Sequence, residues 1–379
     1  MFKYRNAISI PPLGMIDDLA SVAYCGYHSV KINATINAKI DLKKLQLNKK
    51  KCVKLHVSKL DRKNCNKQSV RKCAFLKIEE SDMREENDEK YIGDIIAASG
   101  SNDANISRRR SIGLGAISDI FAILNQVSMG YQYIEIGLIL RETVLMSKIL
   151  LSAESWHNVF LYQIEKLEEL DIIFLRKLFN CHSKTAKEFL IRESGTIPLR
   201  FQISGRRLVY WKHILSVHKS ELIFRVYLAQ KLSPVQGDWI SLVEKDKELY
   251  DIKLSDEEVR IMSKHKFKTY IKQKSEELTL KYLSKLQQKH SKSKLLDMND
   301  LTISQYLLDS RFSKAERELL FRLRSKTVDV KENFKHAYQN NDMLCQLCKL
   351  FSCTQSHVLQ CPKLIIRILV DTKICVWKC

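Results

Sequence analysis

The chain has 379 residues, is 45% hydrophobic, and carries 64 Lys and Arg against 43 Asp and Glu, a net charge of +21. That length can bury a sizeable core and implies two or three domains. The charge points to a polyanionic partner, because cationic side chains gain free energy by releasing counterions condensed on phosphates. No stretch reaches the roughly 20 apolar residues that span a bilayer: Arg141 and Lys148 interrupt the best candidate, Ile134 to Leu151, so no membrane partner is expected.

Residues 1–60 alternate short apolar runs with turn signals such as Pro11, Pro12 and Gly14, the pattern of strands and hairpins. A polar stretch follows, and Glu79 to Lys90 reads as an exposed loop. Tyr91 to Ile96 predicts one more strand, then a second polar loop ending in Arg108, Arg109 and Arg110. From Gly115 to about Gln230 the period becomes helical. Ile117, Ile120, Phe121 and Leu124 share one face, as do Ile164, Leu167, Leu170 and Ile173. Pro234 and Gly237 break the pattern. Residues 239–337 are helical and lysine-rich, and the spacings Ser255-x-x-Glu258 and Ser313-x-x-Glu316 predict two capping boxes. After the second box, Ala315, Leu319, Leu320 and Leu323 are expected to form the buried stripe, with Arg317, Arg322 and Arg324 on other faces.

Two motifs carry chemistry. Asp17 and Asp18 sit between apolar runs, so a hairpin would place both carboxylates at or beside its turn. Like charges that close repel unless a cation neutralises them, and oxygen ligands suit Mg²⁺ in phosphoryl transfer. An isolated Asp-Asp pair also simply caps helices or decorates turns. The second motif is Cys345-x2-Cys348-x8-His357-x3-Cys361. Two cysteines at that spacing clasp a metal from a tight turn, and a His and a Cys four apart share one helix face. Four ligands without an open position make a structural Zn²⁺ site. Cys353 either replaces Cys348 or stays free. A second set, Cys52, His56, Cys65 and Cys73, is read as unrelated to metal. The eleven cysteines are odd in number and mostly scattered, which fits a reducing, intracellular setting, nuclear and cytoplasmic. Arg206, Arg207 and Lys212 lie beside Trp211, a mix of cations and an aromatic suited to phosphate contact and stacking, and Arg108, Arg109 and Arg110 form a second basic cluster.

The segment from Ile10 to Cys25, with Met15-Ile16-Asp17-Asp18 at its centre, resembles the aspartate hairpin in the reverse transcriptase palm of LINE-like, non-LTR retrotransposons. Lys43 to Val57 is similar to the lysine-containing segment that follows it, and Tyr91-Ile92-Gly93-Asp94 to the palm–thumb junction. Gly113 to Ile120 and Leu151 to Trp156 resemble the thumb. Leu307 to Arg324 resembles the region before the knuckle, and the Cys-Cys-His-Cys spacing resembles the element that follows the thumb.

The resemblance implies RNA-templated DNA synthesis, with an RNA template and a DNA primer as partners. Asp17 and Asp18 would serve a Mg²⁺ site whose third aspartate lies on an earlier strand, N-terminal to residue 1. The chain alone is therefore expected not to polymerise DNA and reads as a truncated polymerase. The competing reading is a non-catalytic, zinc-dependent RNA- or DNA-binding protein derived from such an element. The expected fold is α+β and predominantly α: a partial palm over 1–110, a helical thumb over 111–235, a basic helical connector over 236–340, a zinc knuckle over 341–365 and a tail over 366–379.

Overall fold

The computed structural model describes residues 13–15, 18–20, 34–36, 38–39, 42–43, 53–55, 84–91, 93–126, 132–157, 159–183, 185–289, 300–325, 327, 344–345, 348–354, 357 and 360–361. These residues are predominantly helical with a small β portion, as composition and periodicity predict. Six short strands form three separate pairs. Strand β1 (Leu13–Met15) runs antiparallel to β2 (Asp18–Ala20), with Met15 opposite Asp18. Strand β3 (Val53–Leu55) lies parallel to β4 (Arg84–Glu86), and β5 (Asp88–Tyr91) pairs antiparallel with β6 (Asp94–Ala97). Residues 34–36 and 38–39 are helical, where strands and hairpins were expected.

Part of the expected polar loop is therefore strand. The alternating burial of β5 explains it: one face of the hairpin is solvated, and polar side chains suffice there. Gly93 turns this hairpin at φ 90°, a conformation that favours glycine. The run at 91–96 is thus not one strand: Tyr91 ends the first arm of a hairpin and Asp94 to Ile96 belong to the second.

Eleven α-helices of four residues or more follow among the described residues. They are α1 (Asp103–Gln126), α2 (Tyr133–Leu140), α3 (Leu161–Leu178), α4 (Lys187–Ser194), α5 (Leu199–Ser216), α6 (Leu222–Leu232), α7 (Trp239–Leu249), α8 (Asp256–Ile261), α9 (Lys264–Lys289), α10 (Gln305–Leu308) and α11 (Lys314–Arg324). A π-helical turn over Arg141–Met146 extends α2. Helix α1 begins twelve residues before Gly115, so Arg108, Arg109 and Arg110 are helical rather than part of a loop. Its buried positions Ile106, Ile117, Ile120, Phe121 and Leu124 keep the helical period through both glycines.

Two compact units divide the chain: residues 1–112, 149–167 and 202–273, and residues 113–148, 168–201 and 274–379. In the first, Trp211 meets Phe267 edge-on at 6.3 Å. Tyr210 meets Trp239 at 5.7 Å, and the Trp239 indole donates to the Glu154 carbonyl at 2.8 Å. Trp156 and Trp211 are both buried, so each is core rather than an exposed stacking surface.

In the second unit Phe321 stacks on Phe179 at 4.7 Å and meets Phe189 edge-on at 5.2 Å. This corrects the stripe expected for α11. Arg317 and Phe321 are fully buried, one turn apart, whereas Leu319 is 51% exposed. Phe321 wins the buried face because it completes the aromatic cluster. Arg317 shares that face because its guanidinium donates to the carbonyls of Asp309 and Phe312 at 2.9 and 2.7 Å. In α3 the same logic leaves Ile173 exposed and buries Phe174, which packs on Phe121.

Both capping boxes form: Ser255 with Glu258 opens α8, and Ser313 with Glu316 opens α11. Helix α4 ends at Gly195, φ 64°, where a Cβ would come within 2.7 Å of the backbone at Thr302 and Ile303. Arg141 is fully buried and forks onto Asp171 at 2.5 and 2.6 Å, while Glu142 takes a further N–H. An unpaired guanidinium in that position has no water to replace its partner. Asp171→Ala should therefore cost about 3–5 kcal/mol of stability, read as a lower urea midpoint by circular dichroism. An unchanged midpoint would mean the pair is hydrated in solution.

Candidate metal centre

The C-terminal described segment closes on itself through its backbone. Leu344 and Ser352 form an antiparallel bridge, Cys345 N–H donates to Phe351 O at 2.7 Å, and Lys349 N–H returns to Cys345 O at 2.8 Å. Lys349 adopts φ 57°, the left-handed bend that reverses the chain after Cys348. His357 N–H donates to Thr354 Oγ1 at 3.0 Å, setting the start of the turn that carries His357 and Cys361.

This brings Cys345, Cys348, His357 and Cys361 together, with their ligand atoms all within 4.8 Å of one another. The sulfurs of Cys345 and Cys361 are 4.0 Å apart, and Cys348 Sγ lies 3.2 Å from His357 Nε2. A tetrahedral zinc with metal–sulfur bonds of about 2.3 Å spaces its sulfurs about 3.8 Å apart, so the donor set fits such an ion. The 4.0 Å separation is far too long for a disulfide. The buried cluster around the site consists of Cys345, Cys353 and Cys361 with Cys348 against it. Among the described residues this buried cluster is cysteine only, the composition expected where metal binding supplies the folding free energy. Cys353 is buried but lies outside this group of four, which favours Cys348 over it as the ligand.

Amide donation from Leu350 pulls the Cys348 thiol down to about 6, with help from Phe351, His357 and Cys345 and against burial. A thiolate at neutral pH is the form that ligates metal. Among the described residues this is the one cluster of three or more potential metal ligands.

The other sequence-predicted residues do not converge. Asp17 lies outside the described residues. Asp18 opens β2 opposite Met15, so the two strands flanking the aspartates do pair as a hairpin. Cys52, His56, Cys65 and Cys73 also lie outside the described residues. Arg108 and Arg109 clamp the β5–β6 turn, each donating to Gly93 O at 2.9 Å, and Arg109 pairs with Asp94. Arg109 is 2% exposed. Arg207, also buried, pairs with Asp246 at 2.6 Å, where burial pushes the carboxyl up against the pull of Arg207. Lys212 donates to Ser216 and to the Arg260 carbonyl, and burial pushes its ammonium down. Arg109, Arg207 and Lys212 thus hold the fold and offer no face to a phosphate. Arg110 and Arg206 are exposed, and Arg108 is half-buried.

The site has a part that sequence reasoning passed over. Leu350 and Phe351 are 75% and 59% exposed beside the ligands. An apolar pair between cysteines reads as core, yet both side chains are exposed.

The chain should bind one zinc per molecule, and cobalt substitution should give a thiolate charge-transfer band. Cys348→Ser and Cys361→Ser should abolish that band, and Cys353→Ser should keep it; loss in the last variant would reassign the ligands. In the metal-free chain, alkylation of Cys348 should rise with pH through about 6, while buried Cys345 and Cys361 react slowly. No family model, curated protein or solved structure matches the chain.

Proposed function

We propose that this chain is a nucleic-acid-binding portion of a LINE-like, non-LTR reverse transcriptase, built from palm, thumb, basic connector and zinc knuckle. The observation that carries the reading is the Cys345–Cys348–His357–Cys361 cluster at the end of a helical chain of net charge +21. The order of the resembling segments, from aspartate hairpin to knuckle, adds to it. So does the hairpin pairing around Asp17 and Asp18. Its partners on this reading are an RNA template and a DNA primer, with Zn²⁺ structural and Mg²⁺ belonging to the polymerase site.

Backbone phosphates would be met by exposed cations on rigid helices. Arg110 on α1 and Arg206 on α5 are of that kind, and so are Lys264, Lys266 and Lys268 on the first turns of α9. Catalysis is not expected from this chain alone, because the resemblance assigns it only two of the three metal-binding aspartates.

The zinc-loaded chain should bind RNA and DNA with an affinity that falls steeply and linearly in log–log form as salt rises. Primer extension on an RNA template with Mg²⁺ should give no product. Salt-insensitive or absent binding would sink the proposal. Extension that vanishes in the Asp17→Asn, Asp18→Asn double variant would instead show a complete polymerase site.

A further inference from the structure

Leu350 and Phe351 are large apolar side chains held in solvent by a rigid support. The backbone of 349–351 is tied to Cys345 by two hydrogen bonds, Lys349 N–H to Cys345 O and Cys345 N–H to Phe351 O. The Phe351 ring also packs 5.3 Å from the ring of His357, itself a candidate ligand. Metal binding would therefore fix the orientation of the aromatic ring as well as the ligands. Lys349, exposed, adjoins the pair at the same bend.

We propose that Leu350 and Phe351 form a stacking platform for an unpaired nucleobase of single-stranded RNA or DNA, with Lys349 taking the adjoining phosphate. The inference rests on the nucleic-acid reading above and gives the knuckle its substrate class. Charge selects this occupant: no Asp or Glu occurs from Leu344 to Cys361, in a chain of net charge +21. Size selects it too. Two side chains cover about one base, well below the roughly 800 Å² per partner of a stable protein interface. An aromatic face beside a cation is the recurring means of holding a base and its phosphate. A duplex, whose bases are already stacked, gains nothing from the platform.

The test uses the full zinc-loaded chain and a short single-stranded oligonucleotide carrying one 2-aminopurine. The fluorescence of the base analogue should be quenched on binding. Phe351→Ala should weaken single-strand binding about tenfold while leaving duplex affinity and zinc content unchanged. Phe351→Trp should retain the single-strand affinity, and its indole emission should be quenched by the bound base. Equal single-strand affinity for Phe351→Ala and the parent chain, with no quenching, overturns the platform while leaving the wider reading intact. Absence of both single-strand and duplex binding at low salt overturns that reading as well, and the platform with it.

Discussion

Burying a cation is expensive unless a fixed partner replaces its water, and a chain this rich in lysine and arginine meets that constraint throughout its interior. Arg109, Arg141, Arg192 and Arg207 are all buried, and they pair with Asp94, Asp171, Asp300 and Asp246. Arg317 uses backbone carbonyls instead. The pairs join β6 to α1, the π-helical turn after α2 to α3, α4 to the segment before α10, and α5 to α7. These four aspartates thus anchor the fold.

This division leaves the remaining positive charge on the surface. On the proposed reading the exposed cations of α1, α5 and α9 would be sequence-blind, since phosphates repeat along any nucleic acid. The knuckle is different in kind. Its donor set is sulfur and imidazole, and its outward face is apolar. On the proposed reading, a molecule with both features would separate attraction from discrimination: long-range charge would bring a strand near, and a flat contact would distinguish unstacked bases from paired ones.

How much of this was legible in the sequence depended on how local the signal was. The two capping boxes and the ligand spacing were readable because each is fixed within a few residues and its geometry follows from backbone bonds. The break between α6 and α7 was readable from Pro234 and Gly237 for the same reason. The α11 stripe was not. Its four leucine and alanine positions outnumber one phenylalanine in a periodicity count, yet Phe321 is buried because Phe179 and Phe189 await it, about 140 and 130 residues earlier in the chain. The start of α1 was hidden by Gly113, Gly115 and a polar first turn. The roles of Arg109, Arg207 and Lys212 were hidden because a basic cluster reads alike whether its partner is a phosphate or a buried carboxylate.

Among the described residues the buried cluster at the metal centre is made of cysteines, and that has a consequence for how the molecule responds to its surroundings. The helical units are held by apolar contacts and ion pairs, so temperature and denaturant govern them. With a metal on Cys345, Cys348, His357 and Cys361, the C-terminal segment would be held by that ion, so free metal activity and oxidants of thiols would govern it. The two parts would answer to separate variables: on the proposed reading, loss of metal would silence the end that discriminates bases while the helices that attract nucleic acid persist.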